Sequence, residues 1–386
     1  MLRKYSSVKN DIKNILVFIV MMAILISRPS ISVAAGGSLS VEVYKERLMH
    51  ALDRVSRRTP DKARRHIEFG ANLFIAHEVW IESVPQEALI KAVDAFKEAG
   101  VDRVDINPGL FPWIDNNQTT IAKYDAVIER IRKQNLKLNL NPQYSPTKHP
   151  MNSFSEWHAH AVTLYAELAK RYQPDTFVVI HEPSTMSSRL KKKVGISEWV
   201  SFVRQTAKIV RENSPKTRIG VGCLASEKEY FYAFLQLPEI EVFTLDIYSI
   251  RDLKIYNEMI RAAQAKGKSI YIEETWRPPY FQLGPNMTLD AISLQNVGNQ
   301  KFEAIDSQWL RTMTAYAQAN HLEAITPIWM FTFFKYVEND GDLDHPVYNR
   351  AVVDAILKDE RTSTFFTLQK LIQNNQYLLR LPSTDP

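Results

Sequence analysis

At 386 residues, with 45% apolar and 24% charged residues, the chain has a globular composition and room for one large domain or two small ones. Its single cysteine, Cys223, excludes an internal disulfide framework, so the fold must rest on a hydrophobic core that this length allows. The formal net charge is +5, but residues 1–35 hold five basic residues against one acidic, so the remainder carries only about +1 and gives no reason to expect a nucleic-acid partner.

Residues 1–35 read as a leader. Arg3, Lys4, Lys9 and Lys13 precede an unbroken apolar run of twelve residues, 15–26, and Ser32-Val-Ala-Ala35 then offers small residues for cleavage near Ala34 or Ala35. This is the pattern of a secretory signal peptide, so a secreted or periplasmic protein is expected, with no stable membrane insertion after cleavage. An uncleaved anchor is the alternative, and the run falls short of the ~20 residues that span a bilayer comfortably.

From residue 36 to 65 the pattern predicts a helical extension, with Tyr44, Leu48, Leu52 and Val55 on one stripe of a helix over 41–58. Strand and helix patterns alternate thereafter. The first strand is expected at 67–75, and Ser83 with Gln86 reads as a capping box opening a helix that Gly100 stops. A strand at 101–106 precedes a helix carrying Ile121, Tyr124, Ile128 and Ile131, and a third strand spans 136–140. Ser153 and Glu156 form another capping box, for a helix with Trp157, Ala161, Leu164 and Leu168. Further strands are expected at 177–180, 218–224, 242–248, 270–272 and 324–331. Helices fall between them at 197–213 and 227–237, from Asp252 to Gly267, and around Trp309, Met313 and Tyr316; one last helix covers 347–371.

Eight strand–helix pairs predict a parallel sheet closed into a (β/α)8 barrel over 66–375, with a tail at 376–386. The rival is an open doubly wound sheet, which would carry a glycine-rich phosphate turn after its first strand. The chain has 12 glycines and no G-x-G-x-x-G after any strand.

Working residues of such a barrel sit at the C-terminal strand ends. Those ends supply His77, Glu78 and Trp80; Asp105 and Asn107; Asn141 and Tyr144; His181 and Glu182; Asp246 and Tyr248; Glu273, Glu274 and Trp276; and Trp329. Glu182 draws the eye first. It closes the buried run Thr176-Phe-Val-Val-Ile-His181, and Pro183 behind it should end the strand and hold Glu182 in extended geometry. Two carboxylates with flat aromatic platforms are what glycosidic-bond cleavage needs: one protonates the leaving oxygen, the other meets the sugar carbon, and indole faces stack on the rings.

In these strand-end residues the chain resembles clan A of the retaining (β/α)8 glycoside hydrolases, in which an acid/base glutamate ends the fourth strand in Asn-Glu-Pro and a nucleophile glutamate ends the seventh. His181-Glu-Pro183 matches two of the three positions of the first motif, and Gly267-Lys-Ser-Ile-Tyr-Ile-Glu-Glu-Thr-Trp276 matches the run before the second. The resemblance implies Glu182 as acid/base and Glu274 as nucleophile. It also implies that Tyr248 touches the nucleophile and that Trp329 lies under the catalytic sugar. His181 stands where the clan has asparagine against the sugar 2-hydroxyl, which opens the identity of the sugar rather than the reaction. His181, Tyr248, Trp329, Trp276, Asn107, Asn141, Tyr144 and His77 are thus the expected substrate-binding residues, with an oligo- or polysaccharide as the partner and no cofactor.

Glu273 is the alternative nucleophile. Alternation favours Glu274 if Ile270 and Ile272 face the barrel interior. A non-catalytic carbohydrate-binding barrel is the alternative function. A metal-dependent barrel hydrolase would need convergent strand-end histidines and aspartates. His158-Ala-His160 lies on a predicted helix, where i and i+2 do not share a face. Glu338-Asn-Asp-Gly-Asp-Leu-Asp344 reads as an acidic turn rather than a calcium loop. Asn117-Gln-Thr and Asn286-Met-Thr are glycosylation sequons, and Lys191-Lys-Lys193 is a solvated loop. The loop over 277–305, with Tyr280 and Phe281, and the loop holding Trp113 are expected to shape the subsites.

Overall fold

The computed structural model describes residues 41–59, 65–77, 80–144, 150–151, 153–277, 300–327, 330–336 and 345–378. The expected leader, Glu78, Trp329, Tyr280, Phe281, Asn286 and the acidic turn from Glu338 to Asp344 therefore lie outside the described residues. Eight parallel strands close into a barrel in sequence order: β1 (Glu68–Asn72), β2 (Arg103–Ile106), β3 (Lys137–Leu140), β4 (Thr176–His181), β5 (Arg218–Cys223), β6 (Val242–Ile247), β7 (Ser269–Thr275) and β8 (Ala324–Pro327). β1 pairs with both β2 and β8, which completes the ring. Among the described residues no helix is long and apolar enough to cross a membrane.

The barrel interior is polar. Contacts between strands that are not neighbours must run through it, and these join Arg103 on β2, whose guanidinium lies 4.9 Å over the Tyr271 ring on β7, and Asn139 on β3, which donates to the Tyr271 hydroxyl at 3.4 Å. At the N-terminal end the Arg218 guanidinium donates to both oxygens of Glu323, at 2.7 and 2.9 Å. Arg103 bridges Glu323 at 2.9 Å to Glu68 at 3.1 Å, and Lys137 also pairs with Glu68. Such a network satisfies charges that an apolar plug would not need, and it fixes the lower rim of the barrel. Gly70 is required here: a Cβ would lie 2.1 Å from Thr326 Oγ1. The hydrophobic core is instead the annulus between sheet and helices. Ile270 and Ile272 belong to it, whereas Tyr271 packs with Val242 and Ala324 inside the barrel. This reverses the facing on which the choice of Glu274 over Glu273 rested.

Most helices follow the apolar stripes. The helix Val41–Arg57 docks Leu48 and Leu52 into the core, and Ser56 Oγ lies 3.1 Å from Thr312 Oγ1 on the helix Glu303–Ala319. Ser153 caps the helix Phe154–Tyr172 by accepting from the Glu156 N–H at 3.1 Å, and Gly100 ends the helix Gln86–Ala99 in left-handed geometry at φ 90°. The Ser83 capping box does not form. Pro85 occupies the cap position, and the Ser83 hydroxyl turns back to the Trp80 carbonyl at 2.9 Å. The eighth strand is shorter than expected, and a 3-10 turn, Met330–Phe333, follows β8. The last helix is two, His345–Leu357 and Ser363–Leu378. Asp359 at φ 58° breaks it, and Lys91 seals the break by donating to the Leu357 carbonyl at 2.7 Å and to Asp359 at 3.0 Å. Asn117 is a helix cap, accepting from the Thr120 N–H at 3.1 Å.

Behind β7 lies a fully buried ion pair. Arg277 Nε donates to Asp306 Oδ1 at 2.5 Å, and neither side chain has exposed surface. Tyr336 donates to Asp306 Oδ2 at 2.9 Å, and the guanidinium lies 4.2 Å over the Phe302 ring. Removing one partner leaves the other charge buried and unpaired. Asp306→Ala is expected to cost about 3–5 kcal/mol of stability in urea denaturation, far more than an exposed pair would. A loss below about 1 kcal/mol would show that the pair carries no such constraint.

Candidate active site

Two β-bulges build the C-terminal rim. On β4, Val178 pairs with Gly220 but Ile180 pairs with Val221, so one residue is extra and His181 comes back beside Gly222. On β7, Ile272 pairs with Leu245 but Glu274 pairs with Asp246, so Glu273 is the extra residue. A bulge re-aims side chains that strict alternation would send to opposite faces. Both glutamates thereby reach the rim. Glu273 accepts from the Asn141 side-chain amide at 2.8 Å, and Glu274 accepts from the Tyr248 hydroxyl.

His181 stands between them. Its Nδ1 lies 3.4 Å from Glu273 Oε2, and its Nε2 lies 3.4 Å from Asp246 Oδ2 and 3.5 Å from Glu274 Oε1. Against the cost of burial, the charges of Asp246, Glu274 and Glu273 raise the imidazole well above its usual range. Burial and the neighbouring Glu182 push Glu274 up to about 7, opposed by His181 and by the Tyr248 hydrogen bond. His181, Glu182 and Asp246 each present an atom within 4.8 Å of the other two, a spacing compact enough for a cation.

Glu182 does not take the extended geometry that Pro183 led us to expect. It sits in left-handed geometry at φ 50° and ψ 76°, a conformation costing of order 1–3 kcal/mol outside glycine. Hydrogen bonds to backbone and side chain hold it. The Glu182 N–H donates to the Gly222 carbonyl at 3.1 Å, and the Thr185 hydroxyl donates to Glu182 Oε2 at 2.6 Å. The turn that follows is clamped by a residue that reading the strand ends missed. Glu227, 2% exposed, accepts from the Ser184 N–H at 2.6 Å, the Ser184 hydroxyl and the Leu224 N–H at 2.9 Å. Burial and the charge of Glu182 push its carboxyl up to about 7. β5 ends in apolar Cys223 and Leu224, and the acid comes three residues beyond them, so only an extension of the strand-end list into the next turn would have found it.

The remaining expected residues divide. Asn141 joins the carboxyl cluster through Glu273. Asn107 faces the neighbouring strand end, accepting from Asn72 Nδ2 at 2.9 Å. The Tyr144 hydroxyl is taken by the Met151 N–H at 2.9 Å, and the phenol is 1% exposed. His77 is buried beside Phe74, and burial with the Arg189 charge pushes its imidazole down to about 3. Arg189 in turn donates to Gln143 Oε1 at 2.6 Å. Trp276, expected as a stacking platform, has no exposed surface and belongs to the hydrophobic core, so both faces of its indole are covered. Trp113 stacks on Tyr124 with ring centroids 5.3 Å apart. His158 bonds Gln205 at 3.0 Å rather than sharing a ligand with His160.

β7 is also held from behind. Trp309 Nε1 donates to Thr275 Oγ1 at 3.0 Å, and that hydroxyl donates to the Ile247 carbonyl at 2.8 Å. From β5, Gly222 leaves the space that the His181 ring needs, because a Cβ there would lie 2.8 Å from both His181 Nδ1 and Thr244 Oγ1. At Gly220 the closest approach would be 3.3 Å, to a valine methyl. Gly222→Ala should therefore cost about 1–3 kcal/mol in urea denaturation and Gly220→Ala distinctly less. Equal stabilities for the two variants would show that the ring is not confined by β5.

No protein-family model matches the chain, and no curated protein matches it in sequence. Solved structures do match in fold. The chain is similar to a GH5_18 protein from Streptomyces cattleya in complex with GlcNAc, at 13% identity and a TM-score of 0.55, over 84% of this chain and 83% of that one. An exo-β-1,4-mannosidase from Opitutaceae bacterium strain TAV5 superposes at the same TM-score of 0.55 and 13% identity, over 83% of this chain and 62% of that one. A β-galactosidase from the psychrophilic Marinomonas ef1 gives 0.52 at 10% identity, over 82% and 62%. At these identities the likeness is one of architecture: the chain has the (β/α)8 barrel fold that these glycoside hydrolases share.

Proposed function

We propose that this protein is a retaining glycoside hydrolase that cleaves β-linked glycans by double displacement. The observation that carries the reading is the pair of glutamates delivered by β4 and β7 to one buried rim, with Tyr248 hydrogen-bonded to Glu274. In the first step Glu274 attacks the anomeric carbon while Glu182 gives its proton to the leaving oxygen, forming a glycosyl-enzyme. In the second, Glu182 takes a proton from water, which attacks the same carbon and releases Glu274. This mechanism needs the two carboxyl groups ~5–5.5 Å apart. Glu274 is the stronger choice of nucleophile because it is 4% exposed, whereas Glu273 has no exposed surface and is pinned by Asn141. The names of the fold relatives, which include a β-mannosidase and a β-galactosidase, support a β-linked oligo- or polysaccharide as the substrate class. Residues 1–35 would direct the protein out of the cytoplasm, and the mature N-terminus would then follow Ala34 or Ala35.

A panel of aryl β-glycosides and polysaccharides, with a mechanism-based epoxide or fluorosugar, tests the reading. Covalent labelling is expected at Glu274 and is lost in Glu274→Gln. Glu182→Gln should lose about 10²–10⁴-fold in rate on substrates with poor leaving groups and much less on activated aryl glycosides. Because only the Glu274 carboxylate attacks, the labelling rate should fall as pH drops through about 7. Full activity in both variants would sink the assignment, and sugar binding without labelling or turnover would favour the non-catalytic barrel.

A further inference from the structure

The rim holds more carboxyl groups than double displacement uses. Asp246 and Glu273 have no exposed surface, whereas His181, Glu274 and Glu182 are 6%, 4% and 2% exposed. The imidazole is the most exposed of the five and lies within 3.5 Å of three of the carboxyls. Each ring nitrogen has a carboxylate oxygen at 3.4 Å, and Nε2 has a second at 3.5 Å. Neither nitrogen makes a hydrogen bond within standard geometry, but three carboxylate oxygens within 3.5 Å of the ring make a setting whose charge favours the imidazolium. The surroundings support that arrangement. Asn141 occupies Glu273 Oε1 and leaves Oε2 toward the ring, while Tyr256 bonds only the backbone carbonyl of Asp246 and leaves its carboxyl free. From β5 the Cys223 thiol, pushed up by burial and by the charges of Glu227, Asp246 and Glu182, stays neutral. Tyr248 is a neutral donor to Glu274. Among the described residues, His181 is the one basic side chain within ion-pair reach of Glu274.

Resting on Glu274 as the nucleophile, we propose that His181 is a positioning residue that works as a fixed imidazolium, held by Asp246 and Glu273, whose charge keeps the Glu274 carboxylate ionised and in place for attack. Residue 181 then sets the lower pH limit of activity. Removing the charge takes away what opposes burial and Glu182 at Glu274, so that carboxyl must rise further. An opposite charge at this range is worth about 1–3 pH units.

The test is the pH dependence of kcat/KM and of covalent labelling in the wild type, His181→Asn and His181→Gln, each checked for folding by circular dichroism. The expected result is an acid limb moved up by about 1–3 pH units, with activity recovering above it. A uniform loss at every pH with an unmoved limb would overturn the proposal and leave the ring a packing group. Nitrogen NMR of the wild-type ring, assigned by the signals missing from His181→Asn, reads the charge without turnover. Both ring nitrogens should stay protonated at pH 7, and a neutral ring there would overturn the proposal too. So would one-to-one Zn²⁺ binding that His181→Asn abolishes, because a metal ligand needs a bare ring nitrogen. If the wild type cleaves no glycoside, the functional reading fails, and the NMR titration still decides the state of the ring.

Discussion

Burying like charges together is the constraint around which the upper half of this barrel is built. Glu182, Asp246, Glu273 and Glu274 are all at most 4% exposed and share one rim. Carboxylates so placed cannot all ionise unless something positive or strongly hydrogen-bonding stands among them. The structure answers with a single imidazole and a few neutral donors: Asn141 on Glu273, Tyr248 on Glu274 and Thr185 on Glu182. Thr185 reaches Glu182 from the next turn, but Asn141 and Tyr248 come from other strand ends, so the cluster is complete only when the barrel has closed. Local strand propensity alone could not assemble it.

The lower half meets a similar problem in the opposite sense. Arg103, Arg218 and Lys137 bring three positive charges to the N-terminal rim, and Glu68 and Glu323 pair with them. Those bonds overcome the cost of burial and hold Glu323 down to about 2, so its carboxylate stays ionised at any pH at which the barrel works. Between the two rims lie Asp105, Asn139 and Tyr271, joined by the 2.5 Å bond from Asn139 to Asp105 and the 3.4 Å contact to the Tyr271 hydroxyl. Asp105 is pushed up to about 7 by burial and by the Glu273 charge above it. Burial and the carboxyl-rich top thus both oppose ionisation of Asp105 in the middle layer. The polar interior is therefore layered, with the arginines and Lys137 below and most of the buried carboxyl groups above.

How much of this was legible depended on what kind of signal a feature leaves. Strand and helix order was readable because apolar periodicity reports burial directly, and the eight strand–helix pairs led to the closed barrel. Glu182 and Glu274 were readable because a carboxylate at the end of an apolar run is conspicuous. The bulges were not. A bulge leaves no composition mark: Ile270 and Ile272 face the helices, and alternation from them would have turned Glu274 away from the interior had β7 not gained a residue at Glu273. It is the bulge, rather than alternation, that brings Glu274 to the rim. Glu227 escaped for a different reason: its work is done on backbone N–H groups of Ser184 and Leu224, which no side-chain pattern announces. The split of the last helix turned on Lys91, more than two hundred residues from the break it seals.

The backbone of Glu182 links the energetic and chemical arguments. A non-glycine residue in left-handed geometry before a proline is an unfavourable place for the protein to put its most exactingly placed carboxyl. An extended Glu182 would have let the strand run on, with its side chain directed by alternation alone. The left-handed turn instead stops the strand at His181 and starts the short helix Pro183–Arg189 within one residue. It therefore brings two consecutive side chains, imidazole and carboxyl, to the same rim, which an unbroken strand cannot do because successive residues face opposite ways. β7 reaches the same end by a bulge and β4 by a bulge and a turn. The clamp from Glu227 to Ser184 stabilises the second device, so an acid outside the rim cluster is part of the reason Glu182 is placed beside His181 on that rim.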